Sequence, residues 1–120
     1  MPEATLNEVT LLGRLTRDPE VRSLQGGQQV ANFSVATTDT WKNDAGTTQT
    51  RSQFHPVVLW NAALIEHVVP HLKKGSRVVL RGALEHRQYE KDGVKHNATE
   101  IVLRPFNGSI QMLDRKPEPA

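Results

Sequence analysis

The chain has 120 residues, with 15 Lys and Arg against 13 Asp and Glu, a formal charge of +2 and no Cys. That size fits one compact domain, and the missing thiols exclude disulfides, thiolate metal sites and Cys nucleophiles. A pI near 9.2 permits a polyanion partner only through a local patch of charge.

The opening Met1-Pro2-Glu3-Ala4-Thr5 has no basic segment followed by an apolar one, as a signal peptide would. No apolar run approaches the roughly 18 residues that span a bilayer. A soluble, intracellular protein is expected, with residues 1–5 as a flexible N-terminus.

"LNEVTLLGRL" (Leu6–Leu15) reads as a first strand, with Gly13 marking a bend or bulge. "TRDPEVRSLQGGQQ" (Thr16–Gln29) reads as turn chemistry, through Asp18-Pro19 and Gly26-Gly27. "VANFSVATT" (Val30–Thr38) alternates. Ala31, Phe33 and Val35 fall on one face and Asn32, Ser34 and Thr38 on the other. "KNDAGTT" (Lys42–Thr48) is a polar hairpin loop. The third strand follows as "SQFHPVVLW" (Ser52–Trp60).

"NAALIEHVVPHLKKG" (Asn61–Gly75) breaks the β pattern. Asn61 is a suitable N-cap, Gly75 a suitable stop, and Lys73 and Lys74 complement a helix C-terminus. Leu64, Ile65, Val68 and Leu72 share one helical face, and Pro70 should interrupt the last turn. Arg77–Leu103 reads as two strands joined at Lys91-Asp92-Gly93, because Asp-Gly between β-rich runs signals a hairpin. "GSIQML" (Gly108–Leu113) is a last strand-like piece before the polar tail 114–120. The expectation is an all-β chain with one helix. Its five strands, with the helix between strands 3 and 4, give a Greek-key barrel of the OB-fold kind over residues 6–113. Fold alone does not give function.

The six aromatics carry more information. On the third strand Phe54, Val58 and Trp60 share one face, while His55, Val57 and Leu59 share the other. Both faces are apolar. One must line the barrel, and the other must meet a ligand, a partner or a second subunit. Phe54 and Trp60 are about 20 Å apart at 3.3–3.4 Å per residue, the spacing of two stacking stations along a groove. In the late hairpin Val79, Arg81, Ala83, Glu85, Arg87 and Tyr89 share the face opposite the apolar Val78, Leu80, Gly82 and Leu84. Tyr89 beside Arg87 suits base stacking with phosphate contact. Trp41, next to Lys42, stands at the rim of the first hairpin, and a bulge would decide its face. A lone aromatic on a strand is usually packing, so Phe33 and Phe106 are assigned to the core.

His67 and His71, spaced i and i+4, would share a helical face. No third ligand accompanies them, and no metal site or cofactor is expected. His86 and His96 are read as neighbours across the second hairpin. There is no phosphate-binding Gly loop, Ser nucleophile motif or clustered acid pair, so an enzyme is not expected.

The blocks "VTLLGRLTRDPEVR", "VANFSVATTDTWKN", "QFHPVVLW", "LKKGSRVVLRGALEHRQY" and "TEIVL…IQML" occur in one order at nearly constant spacing. In these the chain resembles the bacterial single-stranded DNA-binding protein family. The resemblance implies a cytoplasmic, nucleoid-associated OB-fold homotetramer, with a dimer as the lesser alternative. It would wrap single-stranded DNA without sequence preference in replication, recombination and repair. It implies stacking on Trp41, Phe54, Trp60 and Tyr89. The family usually has Trp where Phe54 and Tyr89 stand, and Phe where Trp60 stands. His55 matches a His associated with subunit contacts. Arg14, Arg22, Lys42, Lys73, Lys74, Arg77, Arg81 and Arg87 are the candidate phosphate contacts.

Some residues depart from the family pattern. Pro56 stands where a basic residue often follows the His. Glu85 and Gln88 replace basic or neutral residues, which implies weaker but still salt-sensitive binding. The chain closes on "DRKPEPA", without the acidic, Phe-tipped end through which the family recruits replication and repair enzymes. That recruitment is therefore not expected here, whether the end is trimmed or naturally short. Two rivals remain. One is a bridging module like primosomal replication protein N, with weak nucleic-acid binding. The other is an assembly module in which Phe54 and Trp60 fill a subunit interface.

Overall fold

Ala31, Phe33 and Val35 are buried, and Asn32, Ser34 and Ala36 between them are only partly covered, as their alternation requires. The structure is a computed structural model and describes residues 4–113. Its strands are β1 (Val9–Leu15), β2 (Glu20–Ser23), β3 (Gln29–Lys42), β4 (Thr48–Leu59), β5 (Arg77–Lys91), β6 (Val94–Leu103) and β7 (Ser109–Met112). One helix, α1 (Ala62–His67), lies between β4 and β5.

Five strands close on themselves in the order β1, β3, β4, β6, β5 and back to β1. All these pairings are antiparallel except β4 with β6. In chain order α1 falls between the third and fourth barrel strands, the arrangement of an OB-fold. Closure removes much of the exposed edge that an open sheet would present, leaving Val9–Gly13 of β1 without a partner strand on the β3 side. Leu15, Phe33, Val35, Val57, Leu59, Val78, Leu80, Ile101 and Leu103 fill the interior, and Ile65, Val69 and Leu72 plug it.

Closure needs a close approach of backbones. β1 leaves β5 for β3 at Arg14. A Cβ added at the preceding Gly13 would stand 2.3 Å from the Ala36 carbonyl oxygen. At Gly82 it would stand 2.6 Å from the Val102 carbonyl oxygen. Any side chain at either position would force the strands apart.

Local signals in the sequence act as expected in the connections. The Asn61 Oδ1 accepts from the Ala63 and Leu64 amides, capping α1. Pro70 sits in a separate 3-10 turn, Val69–His71, so the helix is broken there. Asp92 and Gly93, at φ of 54° and 76°, make the turn between β5 and β6.

Several expectations are corrected. The stretch read as turn chemistry contains β2, which pairs with β3. The first strand starts at Val9. Asn7 instead exchanges two side-chain hydrogen bonds of 2.8 Å with the Leu84 backbone. The first hairpin is longer than expected, with its ladder running to the Lys42–Thr48 pair. Phe106 is largely exposed rather than core, because it lies in the turn between β6 and β7. His67 ends α1 and His71 belongs to the 3-10 turn, so the two do not share one continuous helical face. The tail 114–120 and the first three residues of the expected flexible N-terminus lie outside the described residues.

Pro56 has a place. It pairs with Ser34, whose carbonyl oxygen accepts from the Thr16 amide, 3.0 Å away on the side of β3 opposite β4. The Ser34–Pro56 pair is therefore a non-hydrogen-bonded one, and the nitrogen of Pro56 faces away from β3. β6 joins β4 only from Val57 onward, so the proline removes no ladder bond.

Candidate nucleic-acid interface

β4 has two apolar faces. Val57 and Leu59 point into the barrel, while Val58 points outward and is buried all the same. Its cover is a small second cluster with Val30 of β3 and Val102 of β6, against which Trp60 packs. The residues come together because Val58 pairs with Asn32 on one side and Val102 on the other. This cluster is the floor of an open groove of about 430 Å³, walled by Arg22, Glu85, Arg87, Glu100 and Arg104.

The groove continues along the outer face. Phe54 shares the outward parity of Val58 and is 66% exposed. Ala36 lies beside it on β3, and Arg14 beside Ala36 on β1. Two strand spacings place Arg14 about 10 Å from Phe54. On β5, Ala83 pairs with Val102 and Glu85 with Glu100, so Arg87 and Tyr89 carry the same face outward along the second hairpin. The Tyr89 ring stacks on its cross-strand partner His96, with centroids 5.3 Å apart. The Arg87 guanidinium lies 5.2 Å from the Tyr89 centroid, within cation–π range.

Trp41 stands apart from this row. The β3–β4 ladder is continuous from Ala31–Leu59 to Lys42–Thr48 with no bulge, so Trp41 keeps the parity of Phe33 and Val35. It is on the opposite side of the hairpin from Phe54, beyond the closed part of the barrel, and is exposed. The expected four rings therefore divide into three on the groove face (Phe54, Trp60 and Tyr89) and one on the far side of the hairpin.

The candidate phosphate contacts divide as well. Arg22 and Arg87 wall the groove, and Arg14 flanks Phe54. Arg77 pairs with Arg14 across β1 and β5. The Lys73 and Lys74 amides are fixed by Ser76 and Asp18 in the loop beside Gly75, whose carbonyl oxygen accepts from Arg14. Lys42 ends β3 beside Trp41. Arg81 keeps the face that alternation assigns it, opposite the buried Val78 and Leu80, but lies outside the groove. It lines a separate concavity with Glu8, Thr10, Ser109 and Gln111, because β1 and β7 flank that end of β5. His86 and His96 are also not neighbours: His86 bonds to Thr99, its cross-strand partner.

Two ion pairs join β5 to β6 and its end across the groove wall, and a third, Arg22 Nε to Glu20 at 2.8 Å, lies within β2. Arg87 holds Glu100 through Nε and Nη2, at 2.9 and 3.2 Å. Arg104 holds Glu85 through Nε and Nη2, at 3.0 and 2.9 Å. The Arg104 hydrogen bonds and charge hold the Glu85 carboxyl below its usual range, although burial pushes the other way. Neither Arg104 nor Glu100 carries a motif of its own in the sequence. The register set by the Asp92-Gly93 turn was the available signal, since it puts Glu100 beside Glu85 with Arg104 farther along the same face. His55 is half-buried, and its Nε2 shares a 2.9 Å hydrogen bond with Thr37 Oγ1. Among the described residues, no three His, Asp or Glu side chains come together as a metal-ligand set. No described helix is long and apolar enough to cross a membrane.

This arrangement matches known proteins over nearly the whole chain. The model of the single-strand binding protein family matches residues 6–113. The chain belongs to the single-strand binding protein family. A curated family member, the single-stranded DNA-binding protein of Rhizobium meliloti (strain 1021), is 35% identical over 112 residues, covering 92% of this chain and 64% of that protein. The single-stranded DNA-binding protein of Rickettsia typhi (strain ATCC VR-144 / Wilmington) is 36% identical over 114 residues, covering 93% of this chain and 75% of that protein. The chain thus spans about two-thirds to three-quarters of these curated relatives. Among solved structures, the Plasmodium falciparum SSB complex with ssDNA superposes with a TM-score of 0.84 at 31% identity, over 95% of this chain and 100% of that one. A deletion mutant of the single-stranded DNA binding protein from Thermus aquaticus gives 0.73 at 30% identity, over 91% of this chain and 51% of that one.

Proposed function

We propose that this protein binds and protects single-stranded DNA without sequence preference in replication, recombination and repair, and that it is not an enzyme. The observation carrying this reading is the groove face, where Phe54, Trp60 and Tyr89 lie along one surface with Arg14, Arg22 and Arg87 among them. Flat rings stack on any base, and guanidinium groups donate to the phosphate oxygens, so the surface grips a strand without reading it. Lys73, Lys74 and Arg77, grouped with Arg14, extend the phosphate path at one end. Trp41 and Lys42 would engage a strand that wraps around the first hairpin. Arg81 is left out of the path. The site belongs to a domain of residues 6–113, working in the cytoplasm of a bacterial cell.

We propose further that the protein acts as a homotetramer. β1 offers support, because residues Val9–Gly13 pair with β5 on one side while pairing with β3 begins only at Arg14. Leu12 is exposed on the outer face of the same strand. His55 and Thr37, at the rim of the barrel, are the second candidate contact. Light scattering should give four times the chain mass. Twice that mass would replace the tetramer by a dimer.

A titration with poly(dT) over a series of salt concentrations tests the DNA reading. The logarithm of the affinity should fall linearly with the logarithm of the salt concentration, by about 0.7 per phosphate neutralised. A flat line would remove the phosphate contacts from the account.

A further inference from the structure

The two ion pairs of the groove wall differ in one respect. The Glu100 side chain is only 12% exposed beneath Arg87. If Arg87 left it, a largely covered carboxylate would stand unpaired, which is costly. Glu85 and Arg104 are 37% and 40% exposed, respectively. If that pair opens, water can take over the half-exposed Glu85, so the exchange costs far less there than at Glu100.

Arg104 is also well placed. Its neighbour Leu103 accepts a 2.9 Å hydrogen bond from the Trp60 amide, which holds the backbone before Arg104 against that of Trp60. Both residues line the same groove. The planar fork that grips Glu85 with two nitrogens fits a phosphate in the same way.

We propose that Glu85 is an internal stand-in for phosphate: it occupies Arg104 in the empty groove and gives it up to a backbone phosphate of the bound strand. Arg104 is then a phosphate-binding residue, and Glu85 sets the ceiling on affinity. The exchange is one of hydrogen bonds and ion pairing only. Mild acid does not trigger it, since Arg104 keeps the Glu85 carboxyl ionised below its usual range. The inference rests on single-stranded DNA binding as the function.

The test compares the wild-type chain, Glu85→Gln and the double variant Glu85→Gln/Arg104→Gln in poly(dT) titrations at several salt concentrations. In the wild type, freeing Glu85 offsets the charge that Arg104 neutralises. Glu85→Gln should therefore bind about two- to five-fold tighter at low salt, as the half-exposed pair no longer competes. It should also steepen the salt slope by about 0.7. The double variant should lose both gains. Glu85→Ala serves as a second single variant, and thermal melts by circular dichroism confirm that each protein is folded. An unchanged slope in both single variants overturns the inference. So does a double variant that keeps the gain, because repulsion by Glu85 alone would then explain it. Absence of binding by the wild type would overturn the functional reading itself, and this inference with it.

Discussion

Replacing Phe54 by Ala should weaken poly(dT) binding by roughly 5- to 150-fold, the loss of one stacking contact worth about 1–3 kcal/mol. The ring is 66% exposed and packs in neither apolar cluster, so the thermal midpoint should stay within a few degrees. The salt slope should not change, because no charge is removed. Phe54→Trp should bind at least as well as the original, since any flat ring can serve. Fluorescence titration of both variants checks this. A Phe54→Ala protein that binds normally would remove Phe54 from the binding face.

The opposite result is expected at the other face of the same strand. Leu59 is fully buried, between β3 and β6. Leu59→Ala removes apolar contacts and leaves a cavity in a closed barrel that cannot collapse to fill it. The expected cost is about 2–5 kcal/mol of a total stability of roughly 5–15 kcal/mol. A urea unfolding curve should show a much lower midpoint. Binding measured where the variant is still folded should stay near the wild-type value. The two substitutions, five residues apart, thus separate core from ligand face along one β4 strand.

How far the sequence disclosed this depends on what each signal encodes. Alternation in Val30–Thr38 reports burial directly, and burial is what folds the strand. Asn61, Pro70 and Asp92-Gly93 act through local backbone chemistry, so their effects could be read locally. β2 lacked any such signal: it is four residues long, all exposed, and owes its existence to the neighbouring β3. Residue type alone points Phe106 to the core, yet its place in a turn exposes it. Arg81 shares the alternation of Tyr89, but eight residues of a curving strand carry about 27 Å, and its strand neighbours change from β1 and β7 to β6 on the way. The Glu85–Arg104 pair joins residues 19 apart and needed the register of the second hairpin before it could be seen. The tolerance for Pro56 depends on the hydrogen-bonding direction of Ser34, which local sequence does not encode.

The central claim is that the rings of the outer face meet DNA bases. The fluorescence of Trp60, read alone in a Trp41→Phe chain, follows this directly during titration with poly(dT) at low salt, with duplex DNA as the control. Strong, saturable quenching by poly(dT) and little change with duplex is the predicted result. Emission that poly(dT) leaves unchanged at low salt would contradict the claim.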